Sequence, residues 1–94
     1  MYRLSRRAED DIIAIYVTGE GSFGAAQAER YHQGLEQTFR FLAEFPGAAR
    51  LRTDITPSVR VHPYRSHIII YVAAGDDIDI LRVRHGLEDW ESTL

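Results

Sequence analysis

The feature that most constrains the fold is a change in the spacing of apolar residues near the middle of the chain. Up to about residue 45 they recur every three or four positions, whereas after residue 58 they alternate with polar residues or run together. A spacing of three to four places side chains on one stripe of a helix, and a spacing of two places them on one face of a strand. The sequence therefore predicts a helical first half and a sheet in the second half.

The longest predicted element is a helix from about residue 24 to 44. Its apolar seam keeps spacings of 3, 4, 3, 4 and 3 along Ala28, Tyr31, Leu35, Thr38, Leu42 and Phe45. Pro46-Gly47 ends it, because proline cannot continue a helix and glycine favours a turn. Phe39 and Phe41 are two positions apart and cannot both face one side, so we expect one of them to face outward.

An earlier helix is predicted from about residue 6 to 18. Ser5 is placed to cap its first turn, and the acids that follow suit the positive end of the helix dipole. Three glycines then follow within six residues, Gly19, Gly21 and Gly24, and predict the break between the two helices. Their spacing matches a dinucleotide-binding fingerprint by letters, but that motif needs a preceding strand, so we interpret it as a turn.

The strands complete an α+β fold of order β-α-α-β-β-β. A short strand at Tyr2-Arg3-Leu4 precedes the helices, and three more are predicted at 59–62, 67–73 and 78–85. Gly75-Asp76-Asp77 predicts a hairpin turn between the last two. We expect an antiparallel sheet with a helical hairpin packed on one face, and the other face open or covered by a partner. The tail at 86–91 is predicted to form a short helix or to pack through Trp90.

Alternation along the last strand predicts which side of it faces the helices. One face carries Ile78, Ile80, Arg82 and Arg84, and the other carries Leu81, Val83 and His85. Two arginines are costly to bury without acids. We therefore expect the arginine side to face outward, with Leu81 and Val83 against the helices.

Composition favours one domain spanning residues 1–94. The chain has 94 residues, no cysteine and a net charge of −3, which excludes a disulfide framework and a thiolate metal site. No pair of histidines with metal-like spacing has an acid beside it, so we expect neither metal nor cofactor. The negative charge argues against direct nucleic-acid binding outside complexes.

The longest apolar run, 68–74, is too short to span a bilayer, and we expect a cytoplasmic protein without membrane partners.

Several stretches together resemble one family of toxins. The opening of ParE toxins, in the RelE/ParE superfamily, is similar to Leu4-Ser5-x-x-Ala8-x-x-Asp11-x-x-Ala14-Ile15-Tyr16. The family's second helix and its end resemble Phe23-Gly24-x-x-Gln27-Ala28-x-x-Tyr31-x-x-x-Leu35 and Leu42-Ala43-Glu44-Phe45-Pro46-Gly47. Its sheet resembles Arg60, then His67-x-Ile69-x-Tyr71, then Ile80-x-Arg82-Val83-x-His85. The glycine that usually precedes the family's second-strand arginine is Ser58 or Val59 in this chain.

The resemblance implies the toxin of a type II toxin–antitoxin system, neutralised by a cognate antitoxin protein. ParE toxins are described as inhibitors of DNA gyrase that act by binding, so DNA gyrase is the expected target. The alternative is the RelE branch, which cleaves ribosome-bound mRNA. A third hypothesis is a non-toxic interaction module that has kept the fold.

The candidate site residues follow from these hypotheses. An mRNA endonuclease would use Arg60 and Arg82 to clamp a phosphate and His85 to transfer a proton. The chain has no lysine, and Gly86 follows His85 where RelE-like nucleases often carry a functional side chain, so we expect no catalytic residue. The residues expected to bind antitoxin or target are Arg60, Arg65, Arg82 and Arg84. Docking could use a groove that accepts an antitoxin helix, or strand addition at the sheet edge.

Overall fold

Two helices pack on one face of a sheet in the computed structural model, which describes residues 1–93. The helices are α1 (Arg6–Phe23) and α2 (Ala25–Glu44). The strands are β1 (Tyr2–Leu4), β2 (Leu51–Arg52), β3 (Val59–Tyr64), β4 (His67–Ala74) and β5 (Asp77–His85). Two 3-10 turns occupy Pro46–Ala48 and Glu91–Thr93. The predicted α+β fold is confirmed, with β2 as a two-residue addition.

The sheet has the order β1-β5-β4-β3-β2. Its hairpin partners are antiparallel, and only β1 pairs in parallel, with β5, through Tyr2 opposite Ile78 and Leu4 opposite Ile80. Between β1 and its partner β5 the chain passes through both helices and the three strands β2, β3 and β4, which is the kind of long connection that a parallel pair requires. Gly75 makes the predicted β4–β5 turn with a φ of 65°.

Helix α1 is five residues longer than predicted, and the expected turn at Gly19 and Gly21 is wrong. Gly19 faces α2, where a Cβ would lie 3.7 Å from the Ala28 Cβ, an ordinary van der Waals contact, so this position continues the helix without a steric demand for glycine. The break falls at Gly24 alone, whose φ of 89° favours glycine. Ser5 caps α1 as predicted, since its Oγ accepts the Ala8 N–H at 3.0 Å and donates to the Leu81 carbonyl at 2.7 Å.

The inner core lies between the helices and the sheet. Its buried members are Ala8, Ile12, Leu35, Phe39, Leu42, Ala49, Ile69, Tyr71, Ile78, Ile80 and Val83. Phe39 is buried in it while Phe41 is exposed, as the spacing argument required. The seam of α2 therefore faces the sheet along most of its length.

A β-bulge in β5 changes which of its side chains face the helices, so part of that prediction is wrong. Ile70 pairs with Arg82 and the next residue, Tyr71, pairs with Ile80, which leaves Leu81 as an extra residue. Ile80 and Val83 consequently both enter the inner core, whereas Leu81 packs on the opposite face of the sheet. The prediction was right for Val83 and wrong for Leu81, Ile78 and Ile80, since both isoleucines are buried in the inner core. An inserted residue changes the alternation and leaves no mark in the sequence.

The opposite face of the sheet is partly covered by the chain itself. Ile55, Val59, Ile70 and Trp90 form a second cluster there, which we call the outer core. The guanidinium of Arg52 lies 5.7 Å from the Trp90 ring centre and pairs with Glu91 at 3.2 Å. The expectation of a face open or covered by a partner is therefore corrected, and the Trp90 alternative for the tail is confirmed. No helix within residues 1–93 combines the length and apolar character needed to cross a membrane.

Candidate functional site

Arg60 is a half-buried residue near the start of β3. Its Nη1 donates a hydrogen bond to the Ala49 carbonyl at 2.6 Å. Ala49 belongs to the segment that leaves the Pro46–Ala48 turn, and the Tyr71 hydroxyl donates to the Pro46 carbonyl at 2.8 Å. The two bonds hold this segment against the sheet, so the guanidinium has a structural partner.

Arg82 does not face outward as predicted but is held by Asp11 of α1. Its Nε and Nη2 donate to the Asp11 carboxylate at 2.7 and 2.9 Å, and the two side chains are 12% and 15% exposed. The Val83 N–H also donates to Asp11, at 3.0 Å. The hydrogen bond to Asp11 raises the Arg82 pKa. The bulge at Leu81 explains the error, since it brings Arg82 within reach of α1.

The other two candidate arginines differ in exposure. Arg84 is mostly buried and pairs with Glu88 at 2.5 Å, which together with the His85 N–H lowers the Glu88 pKa. Arg65 is exposed at the β3–β4 turn, with a φ of 52° and its guanidinium 5.9 Å from the Tyr64 ring centre. Of the four arginines predicted to bind a partner, Arg65 is the one presented to solvent.

The three candidate catalytic residues have different partners. Arg60 bonds to Ala49 and Arg82 to Asp11, whereas His85 accepts the Leu87 N–H at its Nδ1 at 3.1 Å. His85 lies directly opposite His67 on β4, and their ring centres are 5.4 Å apart. The described contacts therefore bring His85 together with His67, and bring neither arginine to it.

Sequence reasoning missed a hydrogen-bonded pair formed by Tyr31 and His67. The Tyr31 hydroxyl lies 2.6 Å from the His67 Nδ1, and the Tyr64 hydroxyl donates to the Tyr31 carbonyl at 3.2 Å. Burial lowers the His67 pKa, nearby His85 lowers it further, and Glu88 opposes both. The available signal was a tyrosine on the mainly apolar seam of α2, since a buried hydroxyl requires a partner.

The pair lies at one end of a cleft between α1, α2 and the ends of β4 and β5. The cleft has a volume of about 430 Å³. Its walls are mainly apolar, and the residues that line it include Ile12, Ile15, Phe23, Ala28, Tyr31, His32, Leu35, Ser66, His67 and His85. The lining within the described chain contains no aspartate, glutamate, lysine or arginine. The sequence does not reveal this cleft, because it depends on how far the helices diverge above the sheet.

Comparison with known proteins agrees with this architecture. A family model described as the ParE toxin of the type II toxin–antitoxin system parDE matches residues 2–90. The fold and this match define the chain as a toxin of the type II toxin–antitoxin class. It belongs to the ParE toxin family, which confirms the resemblance drawn from the sequence.

Two relatives illustrate the likeness. Toxin ParE1 of Caulobacter vibrioides (strain ATCC 19089 / CIP 103742 / CB 15) is 34% identical over 84 residues, covering 89% of this chain and 86% of that protein. A solved structure described as the chromosomal ParDE TA system from P. aeruginosa has a TM-score of 0.77 at 22% identity. It covers 89% of this chain and 92% of that chain, and at this identity the likeness concerns the fold.

Proposed function

We propose that this ParE-family toxin arrests growth by binding DNA gyrase in the cytoplasm, without catalysing a reaction, and that a cognate antitoxin neutralises it. The observation that carries the proposal is the engagement of Arg60 and Arg82 in internal contacts. Family membership supports the toxin class, and the geometry favours binding over cleavage.

RNA cleavage needs an arrangement of side chains that the described contacts do not provide. A phosphate must meet a base, an acid and a cation at one place, aligned within hydrogen-bonding distance. Arg60 is committed to a backbone carbonyl and Arg82 to a nearly buried carboxylate. Freeing Arg82 for a phosphate would leave Asp11 unpaired in a partly buried position, which is strongly unfavourable.

An exposed apolar patch beside the open edge of the sheet supports a protein partner. It is centred on Phe41 and Phe45, whose rings lie 5.5 Å apart, with Phe41 6.1 Å from the His62 ring of β3; Leu51 of β2 is also exposed. β2 pairs with β3 only at Val59 and Arg60, so within the described chain the rest of that β3 edge meets no strand. Exposed apolar patches and open strand edges mark docking sites, and we assign this patch to the antitoxin.

The gyrase proposal is tested by two assays on the same preparation of toxin. The toxin should inhibit supercoiling by purified gyrase, and it should leave mRNA intact in a cell-free translation reaction. Added antitoxin should restore supercoiling. Cleaved mRNA with unaffected supercoiling would establish the endonuclease alternative instead, and expression without growth arrest would favour the non-toxic interaction module.

The antitoxin patch is tested by replacing its two rings. Phe41→Ser with Phe45→Ser should raise the antitoxin Kd at least about tenfold, because buried aromatic anchors contribute more than about 1.4 kcal/mol to binding. Ile13→Ser is the control, since Ile13 is also a large exposed apolar residue, 62% exposed against 45% for Phe41 and 54% for Phe45, but lies on α1. Titration calorimetry measures both, and equal loss in the two variants would contradict the assignment.

A further inference from the structure

The cleft between the helices and the end of the sheet is chemically polarised. Most of its wall is aliphatic or aromatic, whereas His67, His85 and the Tyr31 hydroxyl meet at one end. Ligand pockets in proteins commonly combine an apolar body with a few convergent polar groups, at volumes of about 300–1,000 Å³. The cleft has this composition, and its 430 Å³ falls within that range.

His67 can keep its hydrogen-bond partners both when its ring is neutral and when it is protonated. Its described bond uses Nδ1, which leaves Nε2 available to a ligand in the cleft. While the ring is neutral, the Tyr31 hydroxyl can donate to Nδ1. When the ring is protonated, Nδ1 becomes a donor to the Tyr31 oxygen, and the hydroxyl proton can turn to the Tyr64 carbonyl at 3.4 Å. Both charge states therefore keep their partners.

The groups that face His67 favour an anion over a cation. Tyr31 approaches from α2, Tyr64 pairs with His67 from β3, and His85 pairs with it from β5. Arg65, in the turn before His67, acts electrostatically on Tyr31. Glu88, in the turn after β5, is the acid that acts on His67, and it is already paired with Arg84.

We propose that this cleft is a binding site for a small amphipathic carboxylate, whose apolar body lies between α1 and α2 and whose carboxylate meets His67 and His85. Binding takes up a proton, because the carboxylate stabilises the imidazolium of His67 that burial otherwise disfavours. The inference does not depend on gyrase as the target.

The test uses octanoate on the intact toxin, with octan-1-ol and octylamine as neutral and cationic matches in length. Heteronuclear NMR shifts of the cleft residues should report saturable octanoate binding. The octanoate Kd should fall by up to about tenfold per pH unit between pH 7.5 and 6, since one proton is taken up while the ligand stays ionised. The octan-1-ol Kd should not depend on pH.

His67→Asn is the decisive variant, because its amide oxygen can still accept the Tyr31 hydroxyl but the side chain cannot gain a proton. It should bind octan-1-ol as before and lose the pH dependence of octanoate binding. His62→Asn removes a histidine outside the cleft lining and should leave both ligands unaffected. If His67→Asn fails to fold, His85→Asn should weaken octanoate binding at pH 6 at least about threefold.

Three outcomes overturn the proposal. The first is an unchanged octanoate affinity at pH 6 in a folded His67→Asn protein, or in His85→Asn where that variant replaces it. The second is octylamine binding as tight as octanoate binding at pH 6. The third is a peptide with blocked, uncharged ends that shifts the cleft resonances while octanoate shifts none, which would assign the cleft to a partner chain. Toxicity and gyrase inhibition are measured separately, so failure here leaves the proposed function untouched.

Discussion

Asp10 and Asp11 are neighbours in the first turns of α1, yet the structure uses them differently. Asp10 is exposed to solvent, whereas Asp11 binds Arg82 through two oxygens and also accepts the Val83 N–H. From the sequence alone, both acids are explained only by their position near the positive end of the helix dipole. What distinguishes them is a contact with a residue 71 positions away, which no local pattern reports.

Replacing Asp11 by alanine should destabilise the fold by about 3 kcal/mol, because it leaves the Arg82 charge unpaired where little water reaches it. The Asp10→Ala change should cost less than about 1 kcal/mol, the usual size of a surface dipole interaction. Urea unfolding followed by circular dichroism measures both. Equal losses in the two variants would show that the Asp11–Arg82 pair adds nothing to stability.

His67 should make stability depend on pH. Its pKa is lowered in the folded state, so the unfolded chain binds more protons there, and stability falls as pH drops below the unfolded value of about 6.5. Above that pH the contribution is fully present. The His67→Asn variant should show a flatter fall in urea midpoint between pH 7 and 5.5, and an identical slope to the parent would contradict this role.

At the scale of elements, replacing either of two helical glycines by alanine should have opposite effects on the stability of the protein. An alanine Cβ at Gly34 in α2 would lie 2.0 Å from the Tyr64 hydroxyl, whereas at Gly21 in α1 it would meet nothing within 4 Å. Of the glycines described, Gly34 leaves the least room for an added Cβ, because α2 lies against Tyr64 of β3 at this point. The spacing of apolar residues could not show this, since it reports faces and not distances.

Gly34→Ala should destabilise the protein by about 1–2 kcal/mol through overpacking, despite the better helix propensity of alanine. Gly21→Ala should stabilise it by about 0.5–1 kcal/mol. Tyr64→Phe removes the clashing oxygen, so it should recover much of the loss when combined with Gly34→Ala. Thermal unfolding of the parent, the three single variants and the double variant tests this, and a stabilising Gly34→Ala change would show that Tyr64 moves aside freely.

Prediction from sequence succeeded at the elements whose signal is local and repeated. The seam of α2, the cap at Ser5 and the turn at Gly75 are each specified by nearby residues. The facing of Leu81 and Arg82 was missed because a bulge depends on pairing with β4. The cleft and the Tyr31–His67 pair were missed for a similar reason, since both require elements distant in sequence to meet.

At the scale of the whole molecule, one chain covers one face of the sheet and part of the other. The helices cover one face, and Ile55 with Trp90 closes part of the other. A chain of this size retains only about 5–15 kcal/mol of net stability, so the small outer core is a large part of the total. The last turns of the chain are thus part of the folded unit.

Trp90→Ala should destabilise the protein by about 3 kcal/mol, the lower end for removing a large buried aromatic side chain. Leu87→Ala is the control three residues earlier, where the side chain is 91% exposed and the change should stay within about 0.5 kcal/mol. Chemical unfolding should remain one cooperative transition in both. A Trp90→Ala protein as stable as the parent would show that packing of Trp90 on the sheet does not contribute to stability.

The extra residue in β5 has a consequence for how this chain can vary. Leu81 and Arg82 together fill the space between Ile80 and Val83 where β4 supplies one pairing partner, Ile70. Deleting Leu81 would restore regular alternation and keep every later pair, so Val83 would stay against the helices and His85 opposite His67, while the outer core would lose Leu81. Deleting Val83 would instead move Arg84 to the inner face and displace His85 from His67, so this strand should tolerate the loss of one residue at the bulge and not two positions later.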